Sequence, residues 1–285
     1  MSYRGRFAPS PTGPLHFGSL VAALASYLDA RSQQGEWLVR IEDLDPQREM
    51  PLAADGILAT LEAHGLAWDG PVRFQSAQAP LYDSILARWR REGWIYPCSC
   101  SRREMQAHQG HHPRRCRQQP DWHQKGAKAL RFYVDHRCGF WQDRLLGRQP
   151  FRLSGEPDDF IVRRKEGFYA YHLAVVADDI DQGINAIVRG QDLLELTPYH
   201  LLLYEALRAP VPGYLHIPLV HNHSGQKLSK QTGATAIRPE LASNNLTRAM
   251  AVLNHPLPAA LQGAPVNEQL AWGISHWSVS RLGRQ

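Results

Sequence analysis

Four cysteines in 285 residues are too few to staple a fold, and in a chain with no mark of export they point to metal or plain thiol chemistry, not a disulfide framework. No apolar run approaches the ~20 residues that a membrane span needs. Met1-Ser2-Tyr3-Arg4 leads straight into strand-like sequence with no signal peptide ahead of it. A cytoplasmic protein without a membrane partner is expected. No Walker-type glycine-rich loop is there to cradle phosphates, and no internal repeat is evident. Charge of one sign is not concentrated either: Lys+Arg 32 against Asp+Glu 27 leaves a formal +5, a mild basic excess that suits a polyanionic partner and excludes little.

What is present alternates. Residues 3–8 read as a strand, 20–33 as a helix, 37–42 as a strand and 51–64 as a helix opened by its own proline, which is the βαβα rhythm of a parallel sheet. Residues 79–92 carry Leu81, Ile85, Leu86 and Trp89 at helical spacing and stop at Gly93. From 96 to about 157 the chain turns rich in Arg, His, Gln and Pro, as a subdomain inserted into a nucleotide fold would be. Beyond it, 160–164, 169–176 and 184–188 read as strand or buried helix, 193–207 as a helix and 217–220 as a short strand. The expected organisation is a doubly wound α/β domain in two halves, 1–95 and 158–235, an insertion at 96–157 and a short helical appendage at 236–285.

Two short segments carry the chemistry. In Arg6-Phe7-Ala8-Pro9-Ser10-Pro11-Thr12-Gly13-Pro14-Leu15-His16-Phe17-Gly18-Ser19, a Pro/Gly-punctuated loop enters an Ala-rich helix. Gly18 and Ser19 then sit where free backbone N–H groups meet an anion, with His16 beside it. Far downstream, Lys227-Leu228-Ser229-Lys230 follows Gly225 and offers two mobile cations to the same phosphates. Either segment alone reads as well as a helix entrance or a solvated basic loop. Cys98-Ser99-Cys100 followed by Cys116 supplies three soft ligands, with His108, His111 and His112 inside the loop they would close. Tetrahedral zinc ordering a polar insertion is the expectation, and Cys138 is the alternative fourth ligand. The basic stretch 102–117 with Lys125 and Lys128 is either a phosphate contact or a solvated loop.

The order and separation of the two segments resemble the signature sequences of class I aminoacyl-tRNA synthetases. Phe7-Ala8-Pro9-Ser10-Pro11-Thr12-Gly13 together with Arg40-Ile41-Glu42-Asp43-Leu44-Asp45 resembles the glutamyl branch. Ser19 stands where that signature usually ends in His and Leu228 where the second usually has Met, variants the resemblance tolerates. The chain ends about 55 residues after the lysine loop, too short for the helical anticodon-binding region of that branch. With the cysteines, this resembles a queuosine-directed family that places glutamate on the modified wobble base of tRNA(Asp). The likeness covers residues 4 to 235.

The resemblance implies a Rossmann-like parallel sheet, ATP, Mg²⁺ and structural Zn²⁺ as cofactors, and L-glutamate, ATP and queuosine-bearing tRNA(Asp) as partners of a monomer. It implies glutamate binding by Arg6, Phe7, Ala8, Pro9, Ser10, Glu42, Tyr171 and Arg189. ATP falls to His16, Gly18, Ser19 and Lys230, and catalysis to His16, Lys227 and Lys230. The family's ligand between the second and third cysteines is typically Tyr; His112 holds that place here. The charges agree, since glutamate's second carboxylate calls for an arginine such as Arg6 or Arg189, and Glu42, closing a strand, suits an ammonium. A 3′-end glutamyl-tRNA synthetase lacking its anticodon module and an inert tRNA-binding regulator remain as alternatives.

Overall fold

The computed structural model describes residues 2–107, 115–123, 126–220 and 236–283. The first crossover runs from β1 (Arg4–Phe7) through α1 (Phe17–Ser32) to β2 (Glu36–Ile41), and α2 (Ala53–Ala63) returns the chain to β3 (Arg73–Phe74). All three strands pair in parallel. A second parallel crossover links β9 (Ala186–Gly190) to β10 (Gly213–Ile217) through α7 (Thr197–Leu207). Asn185, just ahead of β9, joins it to β1: its side chain accepts from the Arg4 amide at 2.8 Å and its own amide donates to the Arg4 carbonyl at 3.1 Å. The first crossovers therefore step outward on one side of the β1/β9 boundary and the second steps outward on the other. A crevice opens at the carboxyl ends of the strands where such winding reverses.

The start of α1 faces that crevice because its body is locked in place. Leu20, Leu24 and Leu28 are fully buried, each worth roughly 1.5–3 kcal/mol of apolar transfer. The later helices α8 (Ala242–Val252) and α9 (Val266–His276) pack on the same core. Their approach is close: a Cβ on Gly273 would meet Met250 Cε at 2.3 Å and Leu28 Cδ2 at 3.1 Å.

The insertion divides between two sheets. β4 (Ile95–Cys98), β5 (Ala129–Phe132) and β8 (Phe160–Arg163) form an antiparallel sheet, with α4 (Arg102–Ala107) and α5 (Arg115–Gln118) between its first two strands. The hairpin of β6 (His136–Asp143) and β7 (Gly147–Ser154) instead joins the second parallel crossover, where Asp143 pairs with Tyr214 of β10.

Several elements differ from the sequence reading. The segment 169–176, which the sequence reads as strand or buried helix, is helical from Tyr171 on, the start of α6 (Tyr171–Asp181), while Tyr169 ahead of it bridges to Arg163. The short strand expected at 217–220 lies earlier, at Gly213–Ile217, because Pro218 has no N–H to extend the ladder. The second helix begins at Ala53 and not at its proline: a turn in which Ala53 N donates to Met50 O at 3.1 Å precedes it. α3 (Ala79–Glu92) has the expected span and ends on Gly93 at φ 79°, the left-handed conformation glycine adopts most easily. Among the described residues no helix is long and apolar enough to cross a membrane.

Candidate active site

Two cavities adjoin in the β1/β9 crevice. One is lined by Arg6, Phe7, Ala8 and Ser10, by Glu42 beyond β2, by Tyr171 at the start of α6 and by Arg189, the last residue but one of β9. Pro9 contributes its carbonyl, which accepts from the Glu42 amide at 2.9 Å and ties the two loops together. The other is lined by His16, Gly18 and Ser19 at the start of α1 and by Pro218, Leu219 and Val220 after β10. Ala22 and Gly190 line both. At Gly190 a Cβ would come within 2.5 Å of Asp192 Oδ1 and 3.3 Å of Leu219 Cδ2, so any larger residue there would have to displace the Asp192 side chain.

The two arginines of the first cavity are in different electrical states. Arg6, 4 % exposed, donates to Asp179 at 3.0 Å, and Arg40 meets the same carboxylate at 2.8 Å. Burial would raise the Asp179 pKa, but Arg40 and Arg6 outweigh it and hold it below the ordinary value. Among the described residues Arg189 has only neutral hydrogen-bond partners. Its Nε donates to His216 Nε2 at 3.0 Å, its Nη2 to Thr197 Oγ1 at 2.8 Å and to the Leu193 carbonyl at 3.2 Å, and its Nη1 lies 3.2 Å from His200 Nδ1. Asp143 Oδ2 sits 2.8 Å from His216 Nδ1, which fixes that proton and leaves the Nε2 lone pair for the guanidinium. Burial, reinforced by Arg189 and opposed by Asp143, lowers the His216 pKa; burial and then Arg189 drive His200 well below its usual range. Arg189 is thus a buried cation, rigidly held, with no carboxylate partner among the described residues.

Glu42 faces the same cavity with no hydrogen-bond partner for its carboxylate among the described residues. Burial pushes its pKa up to about 7, against the pull of Arg40 and Arg6. Burial likewise raises the Tyr171 phenol.

At the second cavity one expectation changes. The Ser19 amide is not free, because His16 caps α1 by accepting from it through Nδ1 at 3.2 Å, and the Ser19 hydroxyl lies 3.0 Å from His16 Nε2. The Gly18 amide keeps the exposed end of the helix dipole. Lys227 and Lys230 lie outside the described residues. The described chain on either side of them reaches this cavity: Val220 lines it, Ala236 bridges to His16, and the Ile237 amide donates to the Leu15 carbonyl at 2.9 Å.

Cys98 at the end of β4, Cys100 and Cys116 in α5 bring three sulfurs within 4.8 Å of one another. Cys100 and Cys116 are 3.6 Å apart, close to the ~3.8 Å that two sulfurs keep on one tetrahedral zinc with ~2.3 Å bonds. None of the three is in a disulfide. Burial and the neighbouring thiols push Cys100 up to about 12, the sign of a cluster that a bound cation would relieve. The donor set therefore fits a metal ion. Cys138 is exposed on β6 and not part of the cluster. His108, His111 and His112 lie outside the described residues.

Sequence reasoning missed Asp179 and Arg40 around Arg6, and Asp143, His200, Thr197 and His216 around Arg189. One signal was available: His216 is polar and fully buried between Leu215 and Ile217 in an apolar strand, a placement that calls for a partner.

A family model described as tRNA synthetases class I (E and Q), catalytic domain, matches residues 2–256. A glutamyl-Q tRNA(Asp) synthetase of Pseudomonas aeruginosa (strain LESB58) is 47% identical over 283 residues, covering 99% of this chain and 96% of that one. One from Vibrio cholerae serotype O1 is 46% identical over 282 residues, covering 99% and 92%. A glutamate-tRNA synthetase from Elizabethkingia anophelis superposes with a TM-score of 0.82 at 23% identity, over 99% of this chain and 67% of that one. At that identity the likeness is one of fold. The chain spans about two thirds of that structure's length.

Proposed function

The chain belongs to the class I tRNA synthetases (E and Q), and from that premise we propose that it activates L-glutamate with ATP and transfers it to queuosine at the wobble position of tRNA(Asp). Its relatives carry the name glutamyl-Q tRNA(Asp) synthetase. The observation that carries the substrate reading is Arg189, a buried guanidinium on neutral acceptors beside a carboxylate that can take an ammonium.

In this reading Arg189 and Arg6 hold the two carboxylates, Glu42 takes the ammonium, and Tyr171, Phe7, Ala8, Pro9 and Ser10 shape the wall. The α-carboxylate then lies toward Ala22 and Gly190, where the cavities meet. One carboxylate oxygen attacks the α-phosphorus of ATP, the bond to the β-phosphate oxygen breaks, and pyrophosphate leaves with that electron pair; glutamyl-AMP remains. No protein nucleophile takes part. The protein positions the reactants and meets growing negative charge with His16, the Gly18 amide and the Ser19 hydroxyl. Lys227 and Lys230 are proposed for the same task, supported by the chain on either side of their loop reaching the His16 cavity. Magnesium, when bound, supplies charge to the phosphates. A tRNA hydroxyl then attacks the anhydride carbonyl and releases AMP.

The test is glutamate-dependent ATP–pyrophosphate exchange, followed by transfer of labelled glutamate to tRNA(Asp). Exchange carries a pH signature. Glu42 must be ionised to receive the ammonium, and its pKa is lifted to about 7. The ionised form is therefore lost as pH falls through that value. The kcat/KM for glutamate should drop about tenfold per pH unit below it, and Glu42→Gln should be slower and flat. A wild-type profile level from about pH 8 to about pH 5.5 takes Glu42 out of the site. Exchange with no transfer to tRNA leaves activation standing and removes the acceptor.

For the cysteine cluster we propose zinc, with His112 joining Cys98, Cys100 and Cys116 and serving only to order the insertion. Purified untagged protein should hold about one zinc per chain, and Cys100→Ser should release it. Elemental analysis finding none, with none taken up on addition, sinks the site. Retention in His112→Ala shifts only the fourth ligand.

A further inference from the structure

The outward face of the β6–β7 hairpin has the chemistry of a platform for an RNA strand. The strands pair in register, so that Cys138 lies opposite Arg152, Phe140 opposite Pro150 and Gln142 opposite Arg148. Strand alternation turns these side chains to solvent, while Leu153 on the other face is buried. Phe140 is 57% exposed, among the most exposed large apolar side chains of the described chain. The Arg148 guanidinium lies 3.5 Å from its ring centroid. Neither Arg148 nor Arg152 has a carboxylate partner among the described residues, and no outward position of either strand is acidic.

An apolar face alone would fit many partners. An exposed ring with an arginine stacked on it and a second unneutralised arginine beside it fits a polyanion that carries flat rings: unstacked bases bind by stacking, and their phosphates by charge. The hairpin is tied to the reactive site through its inner face, behind the platform. At one end Asp143 holds His216, which holds Arg189. At the other, His136 and Ser154 open onto a cleft lined by Arg117 and Tyr133. Eight residues per strand make a track about 26 Å long, room for several nucleotides.

We infer that this face holds a strand of the tRNA substrate, with a base against Phe140 and phosphates on Arg148 and Arg152. The inference rests on tRNA being the acceptor of glutamate. It is tested on the full chain by two readouts that differ in kind. The first is binding and transfer. Arg148→Gln with Arg152→Gln should leave glutamate-dependent pyrophosphate exchange within about twofold of wild type, since adenylate formation does not touch this face. Affinity for tRNA(Asp) should fall about tenfold, and the slope of log affinity against log salt should shrink by about 1.4, near 0.7 for each phosphate no longer neutralised. Phe140→Ala should cost about tenfold in tRNA affinity with the salt slope unchanged. The second readout uses Cys138, exposed between these side chains: bound tRNA should slow its alkylation by a maleimide, with Cys138→Ser as the control for the modified site.

Unchanged tRNA affinity in the variants, or equal Cys138 reactivity with and without bound tRNA, overturns the platform. So does an active wild type that binds no tRNA, and so does shielding of Cys138 that depends on protein concentration without RNA, which would assign the face to a second copy of the chain. If the variants lose tRNA binding while wild type transfers no glutamate to tRNA, the platform stands and the acceptor falls. If wild type transfers glutamate and the variants do so equally well, the reverse holds.

Discussion

Arg189→Ala is expected to lower the kcat/KM for glutamate in pyrophosphate exchange by about 10²- to 10³-fold, because truncating one side of a buried charge-assisted contact removes about 2–5 kcal/mol. Arg189 is buried, and its described partners are two imidazoles, a hydroxyl and a carbonyl. None neutralises it, so an anionic ligand is the partner its charge calls for. Arg189→Lys should lose nearly as much. An ammonium cannot reach His216, Thr197 and a ligand carboxylate together, and it lacks the planar fork. The KM for ATP should stay within a few-fold. His216→Gln, which keeps an acceptor but frees the guanidinium from the Asp143–His216 brace, should raise the KM for glutamate far more than it lowers kcat. A thermal melt separates these effects from loss of fold. Arg189→Ala that melts like wild type and exchanges at the wild-type rate would remove the residue from the glutamate site.

The parts of this site legible in the sequence were those written locally. β1, β2 and α1 follow from strand-like runs broken by the Pro/Gly loop ahead of an Ala-rich segment, and α3 from apolar spacing closed by Gly93. The resemblance drew Arg6, Glu42, Tyr171 and Arg189 together, and those four line one cavity. What stayed hidden is written between distant residues. Nothing near Arg189 announces that Asp143, in the basic and irregular insertion, will brace it through His216. The β6–β10 pairing that brings them together joins residues with no shared local pattern. The insertion read as one polar region because arginines and glutamines interrupt the alternation of β6 and β7, which is the main local sign of a half-exposed hairpin. The Ser19 amide failed for a different reason: a histidine at the N-cap takes the amide that helix geometry alone would leave free. The metal cluster was written half in spacing, with Cys98 and Cys100 separated by one residue and Cys116 returned by α5.

The largest effect expected of the acceptor is all-or-none. Glutamyl-AMP is a mixed anhydride that any well-placed hydroxyl can open, so the acceptor is decided by which hydroxyl is held at the carbonyl and not by the reactivity of the adenylate. A 3′-terminal ribose and a modified wobble base both offer hydroxyls, and the two differ in how RNA must be presented. A wobble base reaches a crevice only if it is splayed out of the anticodon loop, as single-stranded bases commonly are in recognition, with stem phosphates held by cationic side chains. Arg148 and Arg152, which have no carboxylate partner among the described residues, lie on the hairpin braced to Arg189 and are suited to that task. On this reading tRNA(Asp) whose terminal adenosine lacks both the 2′ and 3′ hydroxyls should be glutamylated at the wild-type rate. The same tRNA with guanosine in place of queuosine should take up no glutamate above background, although pyrophosphate exchange proceeds in its presence. Transfer should also weaken with salt for the queuosine-bearing tRNA, while exchange without tRNA should not. Mapping the label by nuclease digestion decides the matter: glutamate on the anticodon fragment is the expected outcome, and glutamate lost with the terminal hydroxyls would return the enzyme to 3′-end aminoacylation.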